Sequence, residues 1–357
     1  MDAKITKQRL SRMLSYDWLK IVGIIVAICI AWSLVFTMTA TQITPTQRFY
    51  VYNYVGNNAF SDKFSSLYNQ AFREEFSYEI LEVGSETLGD EVNTILEARF
   101  AIGEGDLMFI AHAKNENDSY KLEGDETTYY YNYTETFARG RVRYLYALEG
   151  ENNYFTQYEA YLSKYFVGGN WQNGELDEAK VKADFRERVK KDKRFKTEEQ
   201  LLQGEKDDIA RLESYRDALV EFYVYLNEMK IVKFETVTVN FSTTESEDFT
   251  CYLNLNPSTL ILDEAGQVQA DEYGNALYEE TAAGLTDYLS YYETVINEKG
   301  ETEKKRTSKN MCVGFLTMDH LDKKYRTEEG FQCEDLLFVN MLIRAAHNIQ
   351  KTDNTDK

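Results

Sequence analysis

An order of strand, helix, strand, helix and strand within the first part of the chain constrains this fold more than any other sequence feature. Apolar runs rich in aromatic and β-branched residues predict strands over residues 49–55, 78–83 and 106–111. Between them, apolar residues recur at helical spacing and predict helices over 61–76 and 88–102. Each connection is long enough for a crossover, so the three strands are expected to pair in parallel in an α/β fold.

The junction before the third predicted strand suggests where such a sheet would bind a ligand. It reads LEARFAIGEGDLMFIAH from Leu96 to His112, a helix that ends at Gly103 and Gly105 and then a strand expected to be buried on both faces. In open α/β sheets, ligands bind beyond the carboxyl ends of the strands. The three segments that follow the predicted strands, NYVGNNAF, VGSET and AHAKNEND, are polar and are expected to converge there.

An apolar segment near the start of the chain predicts a membrane anchor. Residues 21–38, IVGIIVAICIAWSLVFTM, carry no charge and are just long enough to span the hydrocarbon core. Five basic and two acidic residues precede them, which predicts a cytoplasmic segment over 1–20 and export of the residues beyond 40. A cleaved signal peptide is the alternative, but the basic region is long and no Ala-x-Ala type of site follows. We expect a single-pass cell-membrane protein with a stalk over 39–47 and an extracytoplasmic C-terminal domain.

Net charge argues against one class of partner. The chain has 40 basic and 60 acidic residues, a formal charge of −20, and without residues 1–38 it keeps 35 basic and 58 acidic residues. Because polyanions are repelled by such a surface, nucleic acid is not expected as a partner.

The cysteines leave two readings open. Cys29 lies in the apolar segment, whereas Cys251, Cys312 and Cys333 lie outside it, and their spacing fits no zinc site. Either one disulfide forms, with Cys312–Cys333 closing the shortest loop, or three thiols are free and buried.

The remainder of the chain divides into a helix-rich part and a part with returning strands. Residues 113–230 are predicted to be largely helical, with a capping box at Thr197-x-x-Gln200. The apolar spacing over 209–229 fits either a coiled-coil seam or a helix that packs on its own domain. Residues 231–350 are predicted to return strands and a terminal helix to the core, and 351–357 form a tail; the apolar runs lie at 234–241, 249–256, 311–318 and 334–347.

Motifs that carry catalysis or metal binding are missing from the sequence. It has three histidines, His112, His320 and His347, but no Gly-x-Ser-x-Gly, His-Glu-x-x-His or phosphate-binding glycine loop. Residues 263–272 lack the ligand spacing of an EF-hand and fit surface hairpin turns better. We therefore expect no enzyme activity, no metal and no cofactor.

One stretch resembles a known family. The segment ILEARFAIGEGDLMFIAH is similar to the part of bacterial type II extracellular solute-binding proteins in which a helix ends at a Gly-x-Gly-Pro-Asp-like turn before the third strand. The proline of that turn and a lipoprotein cysteine box are missing here. The resemblance implies an N-terminal transmembrane helix followed by a two-lobed, periplasmic-binding-protein-like ectodomain, with a parallel-sheet core over 48–112 and a helix-rich second lobe over 113–230.

The resemblance also implies a function and candidate contacts. The chain is expected to capture a small solute, a sugar or a peptide, for an ABC transporter permease or a sensor. The alternative is an anchored structural or protein-interaction protein that keeps the fold without a small-molecule site. In the second lobe, either Trp171 or a tyrosine of the run 129–131 is expected to stack on the ligand, although a tryptophan is more often a core residue. The candidate ligand contacts are Asn57, Asn58, Ser85, Glu86, His112, Tyr130 and Trp171.

Overall fold

A computed structural model describes the chain over ten ranges of residues. These are 7–39, 43, 47–54, 60–88, 92–101, 105–121, 124–240, 246–297, 299–317 and 333–350. The chain divides into an N-terminal unit, Met1–Ile43, and a compact unit, Thr44–Lys357. The two units are described separately below.

The described residues contain eight α-helices and twelve strands. The helices are α1 Lys7–Thr39, α2 Asp62–Glu74, α3 Val92–Ala101, α4 Tyr133–Ala138, α5 Tyr154–Ser163, α6 Glu178–Arg188, α7 Glu198–Tyr223 and α8 Glu334–His347. The strands are β1 Arg48–Tyr54, β2 Glu82–Leu88, β3 Leu107–Ala111, β4 Lys114–Tyr120, β5 Tyr129–Asn132, β6 Lys233–Asn240, β7 Ser246–Asn254, β8 Ser258–Leu260, β9 Tyr278–Glu280, β10 Tyr291–Ile296, β11 Thr302–Thr307 and β12 Met311–Phe315.

The N-terminal unit is one apolar helix. Within α1, Trp18–Val35 has a mean hydropathy of 2.3 over 18 residues and is long and apolar enough to span a membrane or to act as a signal sequence. This agrees with the predicted apolar segment over 21–38.

A mixed six-stranded sheet forms the centre of the compact unit. Its strand order is β2-β1-β3-β12-β7-β6. The first three strands are parallel, as predicted, and α2 and α3 are the crossovers between them. Strand β12 is antiparallel to both β3 and β7, and β7 is antiparallel to β6. The apolar runs predicted to return to the core therefore complete the sheet.

The junction before β3 forms because its glycine permits an unusual backbone conformation. Gly105 has φ +134°, and a Cβ there would lie 2.8 Å from the ring of Tyr52. Asp106 follows, and its Oδ2 accepts a hydrogen bond from the Tyr50 N–H at 2.5 Å. All five residues of β3 are buried, as expected for a strand covered on both faces.

Strand β2 begins later than the apolar pattern over 78–83 predicts. Tyr78 and Glu79 lie in a turn instead, because their side chains join a polar network with helices α6 and α7. Arg188 pairs with Glu79 at 2.9 Å, and Arg211 pairs with Glu79 at 3.2 Å and with Asp208 at 2.8 Å. The two long-range ion pairs of Glu79 hold residues 77–80 away from the sheet, so that pairing with β1 starts at Glu82.

One continuous hydrophobic core joins the sheet to helices from both predicted lobes. On one face of the sheet, Phe338 of α8 packs edge-on against the rings of Phe64, Tyr68 and Phe49. Helix α7 packs on α8 and α5, and buried side chains of α5 and α7 belong to the same core as the strands. Helix α7 thus packs on its own domain, and its Thr197–Gln200 capping box is present as predicted. The two-lobed arrangement is not confirmed.

Of the two alternatives for the cysteines, the structure shows free, buried thiols. Cys251, Cys312 and Cys333 are all unpaired and fully buried. Burial in apolar surroundings raises the pKa of all three thiols, that of Cys251 to about 12.

Candidate binding site at the carboxyl edge of the sheet

His112 lies where the predicted third strand delivers it, at the carboxyl end of β3, within a polar network. Its Nδ1 is 2.8 Å from the hydroxyl of Thr134, its Nε2 is 3.1 Å from the amide nitrogen of Asn132, and Glu235 lies 3.8 Å from Nε2. Burial lowers the pKa of His112, although Glu235 and Glu135 oppose that shift. Burial therefore favours the neutral imidazole, which bridges polar neighbours.

The network continues along the same edge into the segments before β12 and after β7. The His112 N–H donates to the Asn310 carbonyl at 2.9 Å, and the Asn310 N–H donates to the Asn256 carbonyl at 2.9 Å. The Asn256 amide donates to Glu280 at 2.9 Å and to Ser308 at 3.1 Å. Because β12 is antiparallel to β3, its start lies at the carboxyl edge of the parallel strands. The fully buried Asn256 and the half-buried Asn310 thus tie residues 280–310 to this edge.

The first turn of α2 is covered by the same part of the chain. Ser61 caps α2 by accepting from the Phe64 N–H, and its own N–H donates to the Tyr288 carbonyl at 3.0 Å. Lys63 forms an ion pair with Asp287 at 2.5 Å. Residues 287–288 therefore occupy the place beside the helix N-terminus where the sequence predicted converging loops.

A cleft of about 1090 Å³ opens beyond this edge, between two projecting hairpins. One wall comes from the hairpin of β8 and β9 with the turns between them, and the other from the hairpin of β10 and β11. Ala283 and Thr286 also line the cleft, and Thr286 bonds Ser308 of the carboxyl-edge network at 2.8 Å. The cleft thus lies in the position that an open α/β sheet favours for ligands.

Three turns of one design shape the two hairpins. Asp263, Asp271 and Asn297 each accept hydrogen bonds through Oδ1 from the backbone N–H groups two and four residues later. A glycine with positive φ, between 76° and 85°, lies three residues after each. The hairpin interpretation of residues 263–272 is confirmed, and these Asp/Asn-x-x-Gly turns are the sequence signal from which the cleft walls can be recognised.

The cleft combines aromatic surface with balanced charge. Tyr278 is 42% exposed, and the Lys309 ammonium lies 3.9 Å from its ring centroid. Lys309 also pairs with Glu293 at 3.3 Å. The lining has four acidic residues (Asp271, Glu280, Glu293, Glu303) and four basic residues (Lys299, Lys305, Arg306, Lys309). This surface suits a neutral polar ligand better than a strongly charged one.

Asn53 is a polar side chain at the carboxyl edge that sequence reasoning missed. It is fully buried near the end of β1, and neither its amide nitrogen nor its amide oxygen has a hydrogen-bond partner among the described residues. A buried amide whose two polar atoms lack hydrogen bonds destabilises the folded state, so a hydrogen bond to either atom would be favourable. Its place inside an aromatic strand gave no sequence signal.

The other predicted contacts are dispersed. Ser85 and Glu86 lie within the edge strand β2 rather than in a loop after it, because pairing with β1 continues to Leu88; Glu86 lies 3.6 Å from Arg99. Asn57 and Asn58 lie outside the described residues.

The two proposed stacking residues have different environments. Tyr130 is 39% exposed on β5, and the ammonium of Lys114 lies 4.0 Å from its ring centroid. Trp171 is only 6% exposed and belongs to the core, so it offers no free ring face for a ligand. Of the predicted contacts in the described part, only His112 joins the network at the carboxyl edge.

Among the described residues, no group of three or more His, Cys, Asp or Glu side chains is placed to hold a metal ion. Comparisons of the chain with protein-family models, with curated proteins and with solved structures find no match.

Proposed function

We propose that this chain is a membrane-anchored, extracytoplasmic solute-binding protein that captures a sugar or a peptide in the cleft between its two hairpins. The observation that carries the proposal is the position of that cleft, which lies beyond the carboxyl edge of the parallel strands and is tied to it by Asn256 and Asn310. Delivery to an ABC transporter permease or a sensor, with α1 as the anchor and a two-lobed type II arrangement, completes the proposal.

A thermal-shift screen of the full chain in detergent micelles tests the proposal. The probes are maltohexaose, an N-acetylglucosamine oligomer and a set of neutral hexapeptides. At a concentration a hundred times the Kd, a ligand stabilises the folded state by about 2.7 kcal/mol, which for a unit of this size raises the Tm by roughly 4 °C.

Two tyrosine variants make the screen specific for the cleft. Tyr278→Ala removes an exposed ring from the cleft wall and should abolish the shift. Tyr292→Ala is the matched control, because Tyr292 is 50% exposed on the same pair of hairpins but does not line the cleft. A shift that persists in the Tyr278 variant would assign binding to another place, and no shift with any probe would contradict solute binding.

The alternative function, a protein-interaction domain, has an observation of its own. A groove of about 390 Å³ lies between the end of α7 and the end of the described chain, with Val220 44% exposed and Met229 46% exposed along it. The helix becomes a π-helix there, over Val224–Glu228. If this function is correct, Val220→Asp should abolish recovery of a partner from membranes, whereas Tyr278→Ala should leave recovery unchanged.

A further inference from the structure

The hairpin β10–β11 presents one of its two edges to the cleft. Each strand of this hairpin pairs only with the other, so within the described residues β10 has a partner on one side. Side chains of a strand alternate between its two faces, yet the cleft is lined by the successive residues Glu293 to Asn297. A run of successive residues indicates that the cleft contacts the edge of β10, where backbone N–H and C=O groups are available.

The opposite wall of the cleft also presents the edge of an extended segment. Successive residues from Asn275 to Tyr278 line the cleft, and this segment pairs on its other side with residues 260–270. The Asn275 amide reaches the Ile296 carbonyl at 3.5 Å, so the two walls approach each other at one end. Two strand edges thus flank one cleft.

The two edges of the β10–β11 hairpin differ in their chemistry. Strand β11 reads TEKKRT, and lysine and arginine on an edge strand are the usual protection against pairing with another chain. Strand β10 reads YYETVI, which is rich in residues of high β propensity and has no lysine, arginine, proline or glycine. Strand β11 therefore carries the protection and β10 does not, although Glu303, Lys305 and Arg306 of β11 also line the cleft.

The size and lining of the cleft indicate what would pair with this edge. Its volume of about 1090 Å³ is at the upper end of the range for small-ligand pockets, which is roughly 300–1,000 Å³. Apolar side chains at Leu277, Val295 and Ile296 lie among polar ones along the walls, and the acidic and basic residues balance. An extended peptide that carries both apolar and neutral polar residues matches this surface.

We propose that β10 binds an extended peptide by strand addition, with backbone hydrogen bonds to its cleft-side edge and side chains directed at Tyr278, Val295 and Ile296. This inference rests on the proposed solute-binding function and selects peptide over sugar as the ligand. The strand β11 takes no part in the pairing.

Hydrogen exchange measured by mass spectrometry on the full chain in nanodiscs tests the proposal directly. The probe is the hexapeptide acetyl-Thr-Val-Thr-Tyr-Thr-Val-amide, and maltohexaose is the comparison ligand. Strand addition should slow exchange of the segment 291–296 at least tenfold, whereas 302–307, the other strand of the same hairpin, should be unchanged. Two versions of the peptide, N-methylated at alternate residues, keep the side chains but remove the N–H donors of one edge. At least one of them should bind tenfold more weakly or worse.

A charge-neutral exchange of two facing residues provides a matched variant. Thr294 and Lys304 are cross-strand partners, and only Thr294 lines the cleft. T294K/K304T moves the lysine to the cleft-side edge without changing the net charge and should weaken the peptide at least fivefold. K304T alone should bind as the parent does.

Each other outcome contradicts a specific statement. If the peptide binds but the methylated versions bind equally well, or protection appears outside 291–296, strand addition is wrong while solute binding stands. If maltohexaose binds and the peptide does not, the choice of peptide is wrong. If neither these probes nor the wider thermal-shift screen detects a ligand, the proposed function itself fails. Protection of 291–296 that depends on protein concentration without peptide would show that a second copy of the chain occupies the edge.

Discussion

Replacing one buried carboxyl group should change how the stability of the compact unit depends on pH. Asp335, in the first turn of α8, is 2% exposed, and its Oδ1 has no hydrogen-bond partner among the described residues. Two further carboxyl groups, those of Asp106 and Glu334, are also less than 5% exposed and interact with it. Burial, followed by these two neighbours, raises the pKa of Asp335 well above its usual value.

The sign and size of the effect follow from proton linkage. In the unfolded chain Asp335 releases its proton at about pH 3.9, whereas the folded protein retains it to a higher pH. Between these two values stability falls as pH rises, by at most about 1.4 kcal/mol per pH unit for each retained proton. Asp335→Asn removes this loss. The free energy of unfolding of the variant should therefore rise relative to that of the parent from about pH 4 upward, until the pH reaches the folded-state pKa of Asp335.

Urea unfolding between pH 4 and 8 measures this difference. Trp171 is buried and is the one tryptophan outside α1, so a background of Trp18→Phe and Trp32→Phe makes its fluorescence report on the compact unit. Glu187→Gln, at a side chain that is 77% exposed, is the control and should follow the parent at every pH. If the Asp335 variant loses stability relative to the parent as pH rises, Asp335 is ionised in the folded protein and the reasoning is wrong.

Three further substitutions test other parts of the structure by the same unfolding assay. Arg211→Met should cost about 3–5 kcal/mol, because it leaves the buried carboxylate of Asp208 with one partner fewer, whereas the exposed Lys190→Met should change stability by less than about 0.5 kcal/mol. Gly105→Ala should cost more than about 1 kcal/mol because of its φ of +134° and its contact with an aromatic ring; no loss would mean that this turn relaxes freely. Asn53→Leu should be neutral or stabilising, since it replaces an amide that has no hydrogen-bond partner in the described part of the chain by an apolar group of similar shape. A loss of several kcal/mol there would instead show that the amide is satisfied in the folded protein.

The parallel part of the sheet could be predicted because its signals are local. Strands β1 and β3 and helices α2 and α3 follow from apolar periodicity, from the cap at Ser61 and from the glycine before β3. The parallel order then follows from the length of the crossovers. The same type of signal identified the apolar helix and the turns of the projecting hairpins.

The error in β2 has a physical reason that no local pattern contains. Residues 78–83 have the composition of a strand, but Tyr78 and Glu79 interact with Arg188 and Arg211, more than a hundred residues later. The interactions with these two arginines compensate the free energy that is lost when Tyr78 and Glu79 do not pair in the sheet. The strand therefore spans Glu82–Leu88.

The sequence by itself determined where the apolar helix lies, where β1, β3 and most of the long helices lie, and that the first three strands of the sheet run in parallel; the β4–β5 hairpin instead falls in the part that was predicted to be largely helical. Only the tertiary structure decided which polar groups meet. His112 reached the predicted edge, but its partners Asn132, Thr134 and Glu235 come from segments up to 123 residues away, and the cleft is formed by hairpins inserted between β7 and β12. Helices and strands depend mainly on neighbours in sequence, whereas a binding site depends on long-range packing. In this protein that packing buries Trp171 in the core and places Tyr278 on the cleft wall.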